Sequence, residues 1–349
     1  MMTITTSVES YIIAAIEAVR TARLAIQVQK LLKWPQYTQL SPEWYSVRKE
    51  MMTASSDVAC VAGISYAHKT NTSPEAHAHL LDNLVLKKTG RNLDPFKGSA
   101  VTRWGQMFEE VISRIYMCKT GSQVLEFGLM RHPDVPFIGA SPDGIRTDGI
   151  MIEIKCPQMR TIKPVPPKYY WSQMQTQLEI CDLEQCDFVE AKFDRITTLD
   201  EVSGLVGYEY TGAIGVSYKC KCTDAASECK CKENPDNRVY SYADPVQPVT
   251  VQDSDVRAQV AALGDDHRLL EVVYYAMTQY QCTRVNRDRK WWGQVLPKLR
   301  DVWERITYYR EPENVAELDA LVEKTVRNGG AGKYDPSRKR KIDYDALFD

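Results

Sequence analysis

Ser141-Pro142-Asp143-Gly144 and, a few residues on, Ile152-Glu153-Ile154-Lys155-Cys156-Pro157 bring an aspartate, a glutamate and a lysine close together in the chain. Thr147-Asp148-Gly149 between them reads as a three-residue hairpin loop, with Gly149 free to take the left-handed conformation. That loop predicts pairing of Arg146 with Ile150 and of Asp143 with Glu153. Lys155 shares the face of Glu153, because strand side chains alternate. Like charges directly opposite on a sheet are unfavourable, and a divalent cation bridging them removes the conflict. Hard cations take carboxylates, waters and phosphate oxygens, so the chemistry implied is metal-assisted hydrolysis of a phosphodiester. The plain alternative is an exposed acidic hairpin with a lysine ion pair. A two-residue Asp148-Gly149 turn would put the two carboxylates on opposite faces.

Five further stretches accompany the hairpin. Upstream lie Ser41-Pro42-Glu43-Trp44-Tyr45-Ser46-Val47-Arg48, then Thr53-Ala54-Ser55-Ser56-Asp57. Next comes Arg103-Trp104-Gly105-Gln106-Met107-Phe108-Glu109-Glu110, in a stretch where Phe108, Ile112, Ile115 and Tyr116 recur at helical spacing. Downstream are Tyr170-Trp171-Ser172-Gln173-Met174-Gln175-Thr176-Gln177 and the strand-like Cys186-Asp187-Phe188-Val189-Glu190-Ala191-Lys192-Phe193.

Asp followed by Glu-x-Lys is the pattern of the PD-(D/E)xK nucleases. The longer strings resemble the lambda-exonuclease/YqaJ branch of that superfamily, to which viral alkaline exonucleases are related. The resemblance covers residues 41–193 well and 279–306 more loosely, where Arg287-Asp288-Arg289-Lys290-Trp291-Trp292 looks like a closing strand and helix. It implies an α/β (α+β) fold with a restriction-endonuclease-like core, a central mixed sheet flanked by helices, and an insertion. It also implies roles for single residues. Trp-Gly followed by a metal-binding Glu maps to Glu109, with Glu110 the neighbour one helical step round. Trp-x-x-x-Arg followed by Thr-Ala-Ser maps the 5′-phosphate contacts to Arg48 and Ser55. The residue types suit phosphate binding, since Arg offers a planar charged fork for phosphate oxygens and Ser55 a hydroxyl. Taken alone, Arg48 would be an ordinary surface charge and Ser55 a helix cap. A helix glutamine near the scissile phosphate maps to Gln173; Gln177 shares its face and Gln175 points elsewhere.

The expected enzyme is a Mg²⁺-dependent (or Mn²⁺-dependent) deoxyribonuclease with two ions, a 5′→3′ exonuclease on double-stranded DNA ends serving viral-type recombination, repair or replication. Asp143, Glu153, Glu109 and the Ile154 carbonyl would hold the metal, Lys155 would assist the attacking water, and Gln173 would position water or phosphate. A ring-shaped homo-oligomer and a single-strand-annealing partner follow from the resemblance. An endonuclease or RNA-degrading relative on the same core is one alternative, and a non-catalytic DNA-binding or assembly protein is another.

The rest of the chain sets the frame. Its 349 residues are 44% apolar with seven Trp, ample for a sizeable core. A formal charge of −2 excludes a globally basic coating protein, so any DNA path is a local lining from Arg48, Arg103, Lys155, Lys163, Lys168 and the 287–290 run. Ile12, Ala15, Ile16, Val19, Ala22 and Ile26 form a helical stripe in a helix read over 8–33, for packing on the core or for an oligomer contact. Glu9, Glu17, Arg20 and Arg23 interrupt that stretch, so neither a secretory leader nor a membrane span is expected. Ten Cys without an export signal predict reduced thiols and an intracellular protein, in the host nucleus or cytoplasm if viral. Cys60, Cys118, Cys156, Cys181, Cys186 and Cys282 are read as core thiols. Cys220, Cys222, Cys229 and Cys231 form two C-x-C pairs that suit a structural Zn²⁺ knuckle, or else a plain polar hairpin. The organisation expected is a helical extension (1–40), nuclease core (41–194), an insertion with the Cys-rich loop (195–278) and a helix beginning near Val256, the returning core (279–327) and a tail (328–349). The basic run 338–341 in the tail is open between nuclear import, DNA contact and a solvated end.

Overall fold

The computed structural model describes residues 2–64, 73–91, 99–220, 230–234 and 237–327. Eleven strands and ten α-helices are assigned among them. In the first third these are α1 (Met2–Lys33), β1 (Gln36–Tyr37), α2 (Pro42–Lys49), β2 (Met52–Thr53), α3 (Asp57–Val61), α4 (Pro74–Lys88) and α5 (Ala100–Thr120). Then come β3 (Val124–Leu125), β4 (Leu129–Arg131), β5 (Ile138–Ala140), β6 (Gly144–Arg146), β7 (Ile150–Lys155), α6 (Lys168–Cys181) and β8 (Gln185–Ile196). The last third holds α7 (Leu199–Ser203), β9 (Thr211–Lys219), β10 (Arg238–Tyr242), α8 (Val249–Ala262), β11 (His267–Asn286), α9 (Arg289–Arg310) and α10 (Val315–Arg327).

The central sheet has seven strands in the order β10-β9-β11-β8-β7-β6-β3. Only β7 and β8 run parallel; the other pairs are antiparallel, so the sheet is mixed as expected. Period-two alternation sorts the side chains of β7. Ile152 and Ile154 join Phe108, Ile112, Ile115 and Tyr116 of α5 on one face. Met151 joins Met174 and Leu178 of α6 and Val295 and Leu299 of α9 on the other. Helices thus cover both faces, and β7 is buried along its length apart from its ends. In a second sheet, β1-β4-β5-β2, the strand β2 carries the chain from α2 to α3.

The stretch 195–278 extends the central sheet. It contributes β9 and β10 and the first half of β11, a strand of 20 residues that pairs with β9 and then with β8. The helix expected near Val256 begins earlier, at Val249, with Pro248 at its N-cap.

Among the described side chains, α1 packs on the core through its C-terminal third, by Val28, Leu31 and the partly buried Leu24. Ile12, Ile16, Val19 and Ile26 are exposed. At about 3.6 residues per turn that stripe lies on the other side of the helix from Leu24, Val28 and Leu31, so core packing is not its role. No helix among the described residues is long and apolar enough to cross a membrane.

Candidate active site

The three-residue loop sets the register of β6 and β7. Gly149 takes φ +85° and its N–H donates to the Arg146 carbonyl at 2.9 Å. A Cβ at this glycine would lie 2.8 Å from Leu24 Cβ, so conformation and space both require glycine. Gly144 pairs with Ile152 and Ile145 with Met151. One position outward, Asp143 therefore faces Glu153, and the two-residue turn is excluded. Asp143 Oδ2 accepts the Ile154 N–H at 2.7 Å. The N–H and C=O of one strand residue point to the same side, so the Ile154 carbonyl faces the same edge as Asp143.

Glu153 is fully buried, and α6 supplies most of its partners. Gln173 Nε2 donates to Oε1 at 2.7 Å and Gln177 Nε2 to Oε2 at 2.8 Å, the two glutamines standing one helical turn apart. Lys155 Nζ pairs with Glu153 Oε1 as well and lies 5.1 Å from the Tyr170 ring centroid. Burial alone would lower the Lys155 pKa, but Glu153, Asp143 and Tyr170 raise it, so Lys155 is a firmly held cation. Gln175 points away, bonding the Asn286 carbonyl and the Asp288 N–H where β11 meets α9.

Glu109 reaches the site from α5. It borders a cleft of about 280 Å³ that Ser55, Gln106, Ile154, Lys155 and Gln173 also line. Glu110, its neighbour, is engaged by Arg114 one turn on at 2.6 Å. Desolvation, opposed by Lys155 and reinforced by Glu153 and Glu110, pushes Glu109 up to about 7. Asp143 is likewise raised well above its ordinary range, by desolvation and then by Glu153 and Glu109. Three carboxylates thus repel one another around one lysine. Among the described residues, no three His, Cys, Asp or Glu side chains are grouped as a ready metal-binding cluster; hydrogen bonds occupy Glu153 and Asp143 instead.

Arg48 and Trp44 stand four residues apart on α2, whose first turn is capped by Ser41 accepting the Trp44 N–H at 3.1 Å. The Arg48 guanidinium lies 4.1 Å from the Trp44 ring centroid. Trp44 Nε1 donates to Ser141 Oγ at 3.1 Å, two residues before Asp143. Trp44 thus links the α2 arginine to the hairpin. In the sequence Trp44 stood only as a landmark, although its spacing to Arg48 was a signal for contact. The second glutamine bond to Glu153, from Gln177, was foreseen only as a shared helix face.

Other expectations fare differently. Arg287, counted in a basic lining, has a buried side chain paired with Glu179 at 2.7 Å and Asp182 at 2.8 Å, so it ties α6 to β11 and α9. Cys118 and Cys282 are exposed rather than core thiols, because they lie on outward positions of α5 and β11. Cys222 and Cys229, which the zinc knuckle would need, and the 338–341 run lie outside the described residues.

The YqaJ-like viral recombinase domain family matches residues 43–184, the segment holding all of the hairpin, Glu109, Arg48, Ser55 and Gln173. An uncharacterized protein of Acanthamoeba polyphaga mimivirus is 25% identical over 344 residues, covering 86% of this chain and 58% of that protein. The chain therefore spans 58% of the length of this curated relative. Among solved structures, an alkaline exonuclease (LHK-Exo) from Laribacter hongkongensis is 22% identical with a TM-score of 0.44, covering 82% of this chain and 100% of that one. A phage related exonuclease from Haemophilus somnus is 13% identical with a TM-score of 0.37, covering 76% and 94%.

Proposed function

From the match of residues 43–184 to the YqaJ-like viral recombinase domain family, we propose that this chain is a metal-dependent deoxyribonuclease that hydrolyses the 5′ strand of double-stranded DNA ends in the 5′→3′ direction. The observation that carries the reading is the convergence of Glu109, Ile154, Lys155 and Gln173 on one cleft with Ser55, beside the facing carboxylates Asp143 and Glu153.

Asp143, Glu153, Glu109 and the Ile154 carbonyl are hard oxygen donors of the kind Mg²⁺ or Mn²⁺ takes. Desolvation first, and repulsion from neighbouring carboxylates after it, raise Asp143 and Glu109, and a cation would relieve both. Glu153 and Asp143 would exchange some of their present hydrogen bonds for it. Two such ions, if held there, would supply an activated water and charge stabilisation for the leaving oxygen. Lys155, held cationic, offsets charge that develops on the phosphorane and orients the attacking water. Gln173 sits at the cleft wall where it can position water or a phosphate oxygen. Arg48 and Ser55 take the 5′-phosphate left after each cut, which gives the reaction its polarity. A homo-oligomeric ring and a single-strand-annealing partner accompany this reading, as the likeness to the family suggests.

The decisive experiment measures nucleotide release from linear duplex with 5′-phosphate, linear duplex with 5′-hydroxyl, circular duplex and RNA, with and without Mg²⁺. Mg²⁺-dependent mononucleotide release from linear duplex, fastest on phosphorylated ends, is expected. Cutting of circular DNA would make it an endonuclease, preference for RNA a ribonuclease, and binding without hydrolysis an assembly protein.

A further inference from the structure

Lys88, at the end of α4, is buried and lies 31 residues from the nearest acid it binds. Its Nζ pairs with Asp57 Oδ2 at 2.8 Å, and donates to the Arg48 carbonyl at 3.1 Å and the Met51 carbonyl at 2.5 Å. Asp57 is buried too. It accepts the Thr53 N–H at 2.9 Å, the Thr53 hydroxyl at 3.0 Å and the Ser56 hydroxyl at 3.1 Å, and Lys87 approaches its other oxygen at 3.2 Å. The segment from Thr53 to Asp57 carries Ser55 to the cleft. It is closed on itself by one carboxylate, and one ammonium fastens that carboxylate to the backbone of Arg48.

Charge points the same way. A carboxylate two residues from Ser55 would repel a phosphate. Two lysine ammoniums against one carboxylate leave this cluster one positive charge in excess. Neither Lys88 nor Asp57 lines the cleft, so both act through the residues they hold.

We propose that the buried Lys88–Asp57 pair is a brace that sets the preference for a 5′-phosphorylated end, by fixing Ser55 and Arg48 relative to each other and by cancelling the Asp57 charge. The inference rests on Arg48 and Ser55 being the phosphate contacts proposed above. Lys88 and Asp57 are positioning residues and do not touch the DNA.

The test compares kcat and KM on 5′-phosphoryl and 5′-hydroxyl linear duplexes for the full chain and for Arg48→Ala, Lys88→Met, Asp57→Asn/Lys88→Met and Thr53→Val. Melting by circular dichroism reports folding. Removing one partner of a buried pair strands the other charge, whereas removing both charges is far less damaging; the double variant therefore keeps the proposal falsifiable if Lys88→Met does not fold. Thr53→Val removes one hydroxyl bond to Asp57, together with a 3.5 Å contact to Ser56 Oγ, and serves if both fail. Arg48→Ala should lower the phosphoryl-to-hydroxyl ratio of kcat/KM about tenfold or more. Folded Lys88→Met or the double variant should lower that ratio several-fold, through KM for the phosphorylated end, with 5′-hydroxyl turnover within about twofold of wild type. Thr53→Val should lower it by about two- to threefold. An unchanged ratio in Arg48→Ala overturns the phosphate-contact reading itself. A lowered ratio in Arg48→Ala, with a wild-type ratio in the folded brace variants, overturns the brace alone. Equal loss on both ends would also overturn it, because that is the mark of a merely structural pair.

Discussion

Asp143 and Glu153 stand opposite each other across the β6–β7 hairpin, one position outward from the Gly144–Ile152 pair. Neither is balanced by the other, and the nearby cation Lys155 pairs with Glu153. A fold that places two acids there and buries one of them completely accepts an unfavourable contact. A bound cation would turn that contact into a favourable one.

The first expectation follows from this pair. Asp143→Asn and Glu153→Gln should each reduce hydrolysis by more than the roughly 10–100-fold that loss of an outer partner of a metal ligand costs. DNA binding should survive, because phosphate contacts elsewhere do not depend on the ion. Turnover assays paired with filter binding check it. Near-wild-type turnover in either folded variant would remove the residue from the site.

Lys155→Met should slow the reaction by about 10²–10⁴-fold, the usual range for a positioned proton-transfer or charge-stabilising group. Lysine carries donors only and is no ligand, so raising Mg²⁺ should not restore the rate. Activity titrated against Mg²⁺ decides the matter. Full recovery at high Mg²⁺ would mean that Lys155 merely shapes metal affinity.

Gln173 and Gln177 should separate in their effects. Both bond Glu153, but only Gln173 also lines the cleft. Gln177→Leu should weaken apparent Mg²⁺ affinity by about 10–100-fold with a smaller change in kcat at saturating metal. Gln173→Leu should lower kcat even at saturation. Identical behaviour of the two variants would show that Gln173 does nothing beyond holding Glu153.

Much of this site was legible in the chain because its signals are local. A three-residue turn with a glycine at its end sets Asp143 opposite Glu153, but a two-residue turn stayed open in the sequence, and the β6–β7 pairing decides between them. The spacing of Gln173 and Gln177 put both on one helical face, and both do reach the same carboxylate. Lys88 gave no such signal: nothing in a sequence says which of many lysines will be buried against Asp57 thirty-one residues away. Arg287 misled for the opposite reason. Arg284, Arg289 and Lys290 lie close to it in sequence, while the acids that neutralise it, Glu179 and Asp182, come from α6 and its C-cap. The α1 stripe showed that a helix has an apolar side, but not whether the core lies on that side.

The last expectation concerns pH. Glu109 is pushed up to about 7 by desolvation against the pull of Lys155, and Asp143 is raised by desolvation and then by Glu153 and Glu109. In the unfolded chain both acids lose their protons in the ordinary carboxylate range near 4. Between that range and about 7 the metal-free native state therefore binds more protons than the unfolded state, and its stability falls as pH rises. The melting temperature of metal-free protein should decline from pH 5 to pH 7.5, and Glu109→Gln should flatten that slope. A cation must displace the same protons, so apparent Mg²⁺ affinity should weaken as pH falls below about 7, and activity at limiting Mg²⁺ should rise through that pH. Calorimetric Mg²⁺ titrations at pH 6, 7 and 8 on wild type and Glu109→Gln check both halves. Mg²⁺ affinity that does not change with pH in the wild type would show that neither carboxylate holds its proton where a metal would bind.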